Sequence, residues 1–335
     1  MKKYLMCALG LLAAALMGLP QTGGARADEG APPLCAGRDL AEGVDLKPAL
    51  ARRADDLVNG EGLLWRIDRE GLAPSYLYGT IHSTDADAVA LAHEAAKLIA
   101  GAKVVATELG ALDAVDKAAM AGDMFAQALD RDTDTFAGAL SAETGQKVDD
   151  YLSKKGFPPA FAHHLKLWFL AIVTSLPECE SKRAKLKLPV VDDIVAQEGK
   201  ARGLSVIGLE TAREQIDIIA RLPQDVSATV LEGNARDPDL GDNAFTTMLR
   251  LYREKRPAEI FAIVDSLPGF TESDRSAQDR FMQLMLGRNA AMAARSAPLL
   301  AAGGAFVAVG ALHLPGKQGL IERFRAAGYG VSKVW

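Results

Sequence analysis

The sequence predicts an α/β protein, a single elaborated domain, and three observations carry that prediction. A strand-like run, Tyr76–Leu77–Tyr78, ends in Gly79–Thr80–Ile81–His82, and far down the chain Phe306–Val307–Ala308–Val309 ends in Gly310–Ala311–Leu312–His313. Between them a strand–helix–strand alternation runs from Tyr76 to Thr107, the signature of a βαβ-like unit. Long helical patterns fill most of the remaining chain. Two strand–Gly–x–x–His units suggest two imidazoles carried to one edge of a sheet, where open α/β sheets place their ligands.

The first residues form a basic n-region, Lys2 and Lys3, followed by an uncharged apolar run from Leu5 to Leu19. Ala25–Arg26–Ala27 then supplies an A-x-A cleavage signal. Residues 1–27 are therefore expected to be a cleaved secretory signal peptide, since a membrane span needs about 20 apolar residues and a different flank. Its removal takes three of the 38 basic residues and none of the 43 acidic ones. The remaining chain is acidic, which argues against a nucleic-acid role, because phosphate binding leans on clustered Lys and Arg. Cys7 leaves with the signal, so Cys35 and Cys179 remain as an even pair in an exported chain. One disulfide is the natural reading; two separate buried thiols are the alternative. Residues 28–335 form the single domain.

Pro32 and Pro33 mark residues 28–45 as an irregular arm. A helix is expected over 46–57, stopped by Asn59–Gly60. Leu63 to Asp68 is a strand by composition, Glu70–Gly71 and Pro74 are turn residues, and Tyr76 to Thr80 pairs back as a hairpin. Asp85 or Asp87 caps a helix that runs to about Ala100, and Lys103 to Thr107 is a strand followed directly by Glu108. This places His82 and Glu108 at the ends of two strands expected to be neighbours. Helical patterns cover Leu112 to Leu176, broken at Gly156–Phe157–Pro158–Pro159 and resuming from Ala160 through Val173 as a buried helix that could line a pocket with aromatic rings. Another helix starts at Pro189–Val190–Val191–Asp192–Asp193, with an aspartate as its cap. Leu204 to Gly208 is a strand followed by Leu209–Glu210. Residues 212–300 are mostly helical, with turns that include Pro223 and Pro268–Gly269, and helix 317–327 and strand 329–335 close the chain.

Four polar groups thus fall at strand ends: His82, Glu108, Glu210 and His313. Two imidazoles and a carboxylate suffice to hold a catalytic divalent ion with one position left for water. Such an ion would activate that water, and a second carboxylate could act as base or orient a ligand. Capped, structural polar groups are the competing reading of the same spacing. The glycine before each histidine is expected to let the backbone turn sharply. Arg288 is either a surface cation or a holder of a substrate carboxylate or oxyanion. His163–His164 is expected to be a solvated or hydrogen-bonded turn, His93 a surface residue, and Asp192–Asp193 chiefly a helix cap. No G-x-S-x-G, H-E-x-x-H or Walker loop occurs.

The ordered motifs resemble the TraB/GumN proteins, the group that also holds the Tiki-type membrane-associated proteases, with the GumN-like branch the best fit. They are Leu63–Leu64–Trp65–Arg66–Ile67, Leu77 to His82, Thr107–Glu108–Leu109, Gly208–Leu209–Glu210–Thr211 with Glu214–Gln215, Arg288–Asn289, and Val309 to Gly316. The resemblance implies an erythromycin-esterase/ChaN-like fold, with a central mixed, mostly parallel sheet and a large helical insertion over about 112–190. It implies a metal site of His82, Glu108 and His313, with zinc, manganese or cobalt as candidate ions. Glu210 would be general base or second carboxylate, and Arg288 would stabilise an oxyanion. The implied activity is that of a metal-dependent peptidase or amidase on a peptide or small-molecule substrate, in the periplasm or secreted. Similar folds hydrolyse esters with a histidine- and glutamate-activated water, or bind haem without catalysis. A haem- or metal-binding envelope protein, or an accessory factor beside polysaccharide-related proteins, is the alternative. Unlike Tiki, this chain is expected to lack a C-terminal transmembrane anchor.

Overall fold

The computed structural model describes residues 35–335, apart from 185, 187, 268 and 269. The expected signal peptide, the beginning of the arm and the Pro268–Gly269 turn lie outside the described residues. Among the described residues six strands form one sheet: β1 (Leu64–Asp68), β2 (Ser75–Thr80), β3 (Val104–Thr107), β4 (Ser205–Gly208), β5 (Ala305–Gly310) and β6 (Gly330–Lys333). Their order is β4-β3-β5-β2-β1-β6. The four strands β4, β3, β5 and β2 run parallel, while β1 pairs antiparallel with both β2 and β6. The architecture is mixed α/β, and β1–β2 is the expected hairpin.

The expected neighbourhood of β2 and β3 is corrected. β5 lies between them, with Tyr76 opposite Phe306 on one side and Val104 opposite Ala305 on the other. A βαβ unit fixes that its strands are parallel but leaves room for a later strand to enter the gap. The last Gly-x-x-His unit therefore sits in the middle of the edge rather than at its flank.

Period-two alternation distributes β2 and β5 between two cores. Tyr78, Phe306 and Ala308 face helices Ala86–Ala96, Val191–Ala201 and Leu240–Arg253 through Ala92, Ile194, Val195 and Phe245. Leu77, Val307 and Val309 face the opposite side, against Met292, Leu300, Ile321 and Phe324 of helices Glu272–Ala302 and Leu320–Ala326. A third core belongs to the helical body built from residues 114–184 and 212–282. The helix expected from Ala160 to Val173 is two pieces, Pro159–Ala162 and Leu167–Thr174. Leu165 bridges to Leu129 in the gap between them, because that pairing satisfies the backbone a continuous helix would otherwise use. Cys35 and Cys179 form a disulfide that ties the arm to helix Glu178–Ala184. Among the described residues no helix is long and apolar enough to cross a membrane.

Candidate functional site

The parallel strands end together, and each delivers one polar residue to the same edge: Glu210 after β4, Glu108 after β3, His313 after β5 and His82 after β2. Three of them, His82, Glu108 and His313, line one cavity, joined by Arg288 from helix Glu272–Ala302. The rest of the wall is largely apolar, including Met248, Phe261, Phe281, Met282, Met285 and Leu286. Glu210 does not line the cavity; it lies behind Arg288.

The glycines before the histidines do not make sharp turns. Neither has a positive φ, and Gly310 is extended at φ −49°, ψ 134°. Their role is room. A Cβ on Gly310 would stand 3.1 Å from Glu108 Oε1, and one on Gly79 would stand 3.0 Å from the Ala311 backbone. With no side chain in the way, the Gly310 N–H donates to Glu108 Oε1 at 2.7 Å.

Glu108 is held on every side. Its Oε2 accepts from Gln215 Nε2 at 2.9 Å and from Arg288 Nη2 at 2.6 Å. Arg288 also bonds both oxygens of Glu210, through Nε at 3.0 and 3.1 Å and through a short contact from Nη2. Gln215 reaches Glu210 as well. Burial alone would raise the Glu108 pKa, but Arg288, with His313 and His82 beyond it, holds the carboxyl well below the usual carboxylate range. Arg288 is only 4% exposed, and those two carboxylates keep its charge fixed. Its Nη1 makes no bond to any described residue.

The two histidines have different partners. His313 Nδ1 lies 2.6 Å from Asn289 Oδ1. Asn289 Nδ2 donates to the carbonyl of Gln318, which turns its oxygen toward the ring, so Nδ1 carries the proton and Nε2 carries the lone pair. Nε2 is 3.9 Å from Glu108 Oε1. Burial, reinforced by Arg288, pushes the imidazole down to about 4 despite Glu108. His82 Nδ1 instead lies 2.8 Å from Asp192 Oδ2, and Asp192 Oδ1 accepts from the Thr80 hydroxyl at 2.7 Å. Burial disfavours the His82 cation, but the Asp192 charge outweighs it and pushes the imidazole up to about 9. At neutral pH the cavity therefore holds one neutral and one protonated imidazole.

Asp192 is not the expected cap. Val190 occupies the N-cap position of helix Val191–Ala201 with no side-chain bond, and Asp192 and Asp193 lie in its first turn. Asp193 pairs with Lys117, leaving Asp192 for the site. Asn289, Gln215 and Thr80 are further site residues that the reading of strand ends missed. The adjacency of Arg288 and Asn289 was the usable signal, since consecutive helical residues can both border one site. Trp168 packs in the helical body and borders a separate cavity with Lys166 and Gln224, not this one. His163 sits in a hydrogen-bonded turn between Asp134 and Asp149, and His93 is exposed, both as expected.

The residues present do not fit a divalent ion on Glu108. All of that carboxylate's side-chain hydrogen bonds come from N–H donors, one of them a guanidinium. Among the described residues, no group of three or more His, Cys, Asp or Glu is disposed to hold a metal.

The family model of the TraB/PrgY/gumN family matches residues 63–333. That span takes in every strand and all of the residues just described. No curated protein and no solved structure matches the chain. The chain belongs to the TraB/PrgY/gumN family.

Proposed function

From that family membership and the geometry of the strand-end edge, we propose that the protein is a hydrolase that splits an ester or amide bond by acid–base catalysis. The observation that carries the reading is the pair of imidazoles facing one cavity with different partners, a carboxylate at His82 Nδ1 and a carboxamide oxygen at His313 Nδ1. His313 Nε2, neutral and oriented by Asn289, takes a proton from water as the oxygen adds to the carbonyl carbon. Arg288, which lines the cavity and has Nη1 free of any bond to a described residue, donates to the oxyanion that forms. His82 gives its Nε2 proton to the leaving oxygen or nitrogen as that bond breaks. Proton return from His313 to His82 through solvent resets both. Glu108, fixed by three donors, balances the charge of Arg288 and helps keep His82 protonated. Glu210 holds Arg288 from behind rather than acting as base, since its oxygens are already engaged. The apolar wall suits a peptide or small molecule carrying an apolar group next to the scissile bond. The disulfide supports work in an oxidising compartment, the periplasm or outside the cell.

The test is turnover of ester, amide and peptide libraries by the protein and its His82→Ala and His313→Ala variants. Each variant should lose about 10²- to 10⁴-fold in kcat. Turnover by both variants at the wild-type rate would overturn the reading.

A further inference from the structure

We infer that Arg288 is a built-in cation that occupies the place of a divalent ion between Glu108 and Glu210, so that the two histidines work without a bound metal. A catalytic metal needs lone pairs converging at about 2.0–2.3 Å. Here the guanidinium already bridges the two carboxylates, with Nη2 on Glu108 Oε2 at 2.6 Å and Nε on Glu210 at 3.0 Å. The second Glu108 oxygen is committed to the Gly310 N–H at 2.7 Å. Of the two imidazoles, His82 presents Nδ1 to Asp192, and Nε2 of His313 lies 3.9 Å from Glu108. An ion approaching Glu108 would have to expel a side chain that is 4% exposed and anchored at both ends by charge. Arginine suits this post better than lysine, because its planar fork serves two carboxylates at once and never loses its proton. The same fork leaves Nη1 without a bond to any described residue, so one residue can supply both the positive charge and the oxyanion donor that a metal would otherwise supply.

This inference deepens the hydrolase reading, but its principal test does not depend on turnover. The protein, treated with chelator and dialysed, is titrated calorimetrically with zinc, manganese and cobalt ions in turn, alongside the Arg288→Ala variant. The wild type should show no saturable binding. A folded Arg288→Ala protein, checked by circular dichroism, should gain one site, and that site should vanish when Glu108→Gln is added. One ion per wild-type chain, lost in His313→Ala, overturns the inference. So does a folded Arg288→Ala protein that takes up no ion. If Arg288→Ala does not fold, the wild-type titration still decides. A metal-free protein that hydrolyses nothing would sink the hydrolase reading and leave this one standing. Chelator-insensitive turnover would support both.

Discussion

The two Gly-x-x-His units are nearly the same in sequence and opposite in chemistry. Both follow a buried parallel strand, and both glycines are there for close approach. Yet His82 meets a carboxylate, Asp192, while His313 meets a carboxamide, Asn289. The first imidazole is pushed up to about 9 and the second down to about 4. A motif therefore delivers an imidazole to an edge, and its surroundings set its charge: the Asp192 carboxylate behind His82, and burial with Arg288 around His313, whose Asn289 partner adds no charge to oppose them. Those partners come from helices distant in sequence, Val191–Ala201 and Glu272–Ala302.

The sharpest way to break the contrast is to give His313 the partner His82 has. Asn289→Asp should raise the His313 pKa by about 1–3 units, as a carboxylate in contact favours the cation. The acid limb of the pH–rate profile would then move from near 4 toward neutrality, with a loss of up to about 100-fold at pH 5. Proton titration of the imidazoles by NMR checks the shift directly; an unmoved acid limb would mean that His313 is not the base.

The converse change, Asp192→Asn, should lower the His82 pKa by about 1–3 units and bring the basic limb down from near 9, with a loss of about tenfold at pH 8. Stability should follow. A histidine whose folded pKa is raised stabilises fully below its unfolded value of about 6.5, and that contribution is lost as pH rises through about 9. Wild-type melting temperature should therefore decline between pH 7 and 10, and the Asp192→Asn decline should be flatter. His313 and Glu108 act on the other side. Their lowered values mean stability lost as pH falls, from about 6.5 downward for the histidine and from the usual carboxylate range downward for Glu108.

A smaller effect separates the two glycines. Gly79→Ala and Gly310→Ala each force a contact near 3 Å and should each destabilise by about 1–3 kcal/mol. Only at Gly310 is the crowded atom a Glu108 oxygen, so only that change should also reduce kcat. Equal kcat in both variants would detach Glu108 from the reaction.

How far the sequence could be read follows from where each signal resides. The β1–β2 hairpin and the Asp85 cap are local, written in adjacent residues, and the structure has them as expected. Convergence of His82, Glu108 and His313 on one cavity was legible because strands ending in polar residues put them on one edge. The insertion of β5 between β2 and β3 was not, because sheet order is settled by packing between distant segments. The use of Asp192 was hidden for another reason: an aspartate near a helix start is equally suited to capping, and only the tertiary position of Thr80 and His82 removes that ambiguity. The placement of Arg288 between two carboxylates is a three-body contact, which no spacing along one chain encodes.

The smallest effect tests how much of the contrast depends on what holds Asp192 itself. Thr80→Val keeps the side chain's shape and removes the hydroxyl that donates to Asp192 Oδ1 at 2.7 Å. The loss should be about 1 kcal/mol, the net worth of one such bond, which for a chain of this size is a fall in melting temperature of about 2 °C. Asp192 Oδ2 would still face His82, so both limbs of the pH–rate profile should stay within about 0.3 units of wild type, well under the 1–3 units a full charge is worth. A basic limb that falls as far in Thr80→Val as in Asp192→Asn would show that Thr80, by orienting the carboxylate, and not the carboxylate's charge alone, makes His82 the acid of the pair.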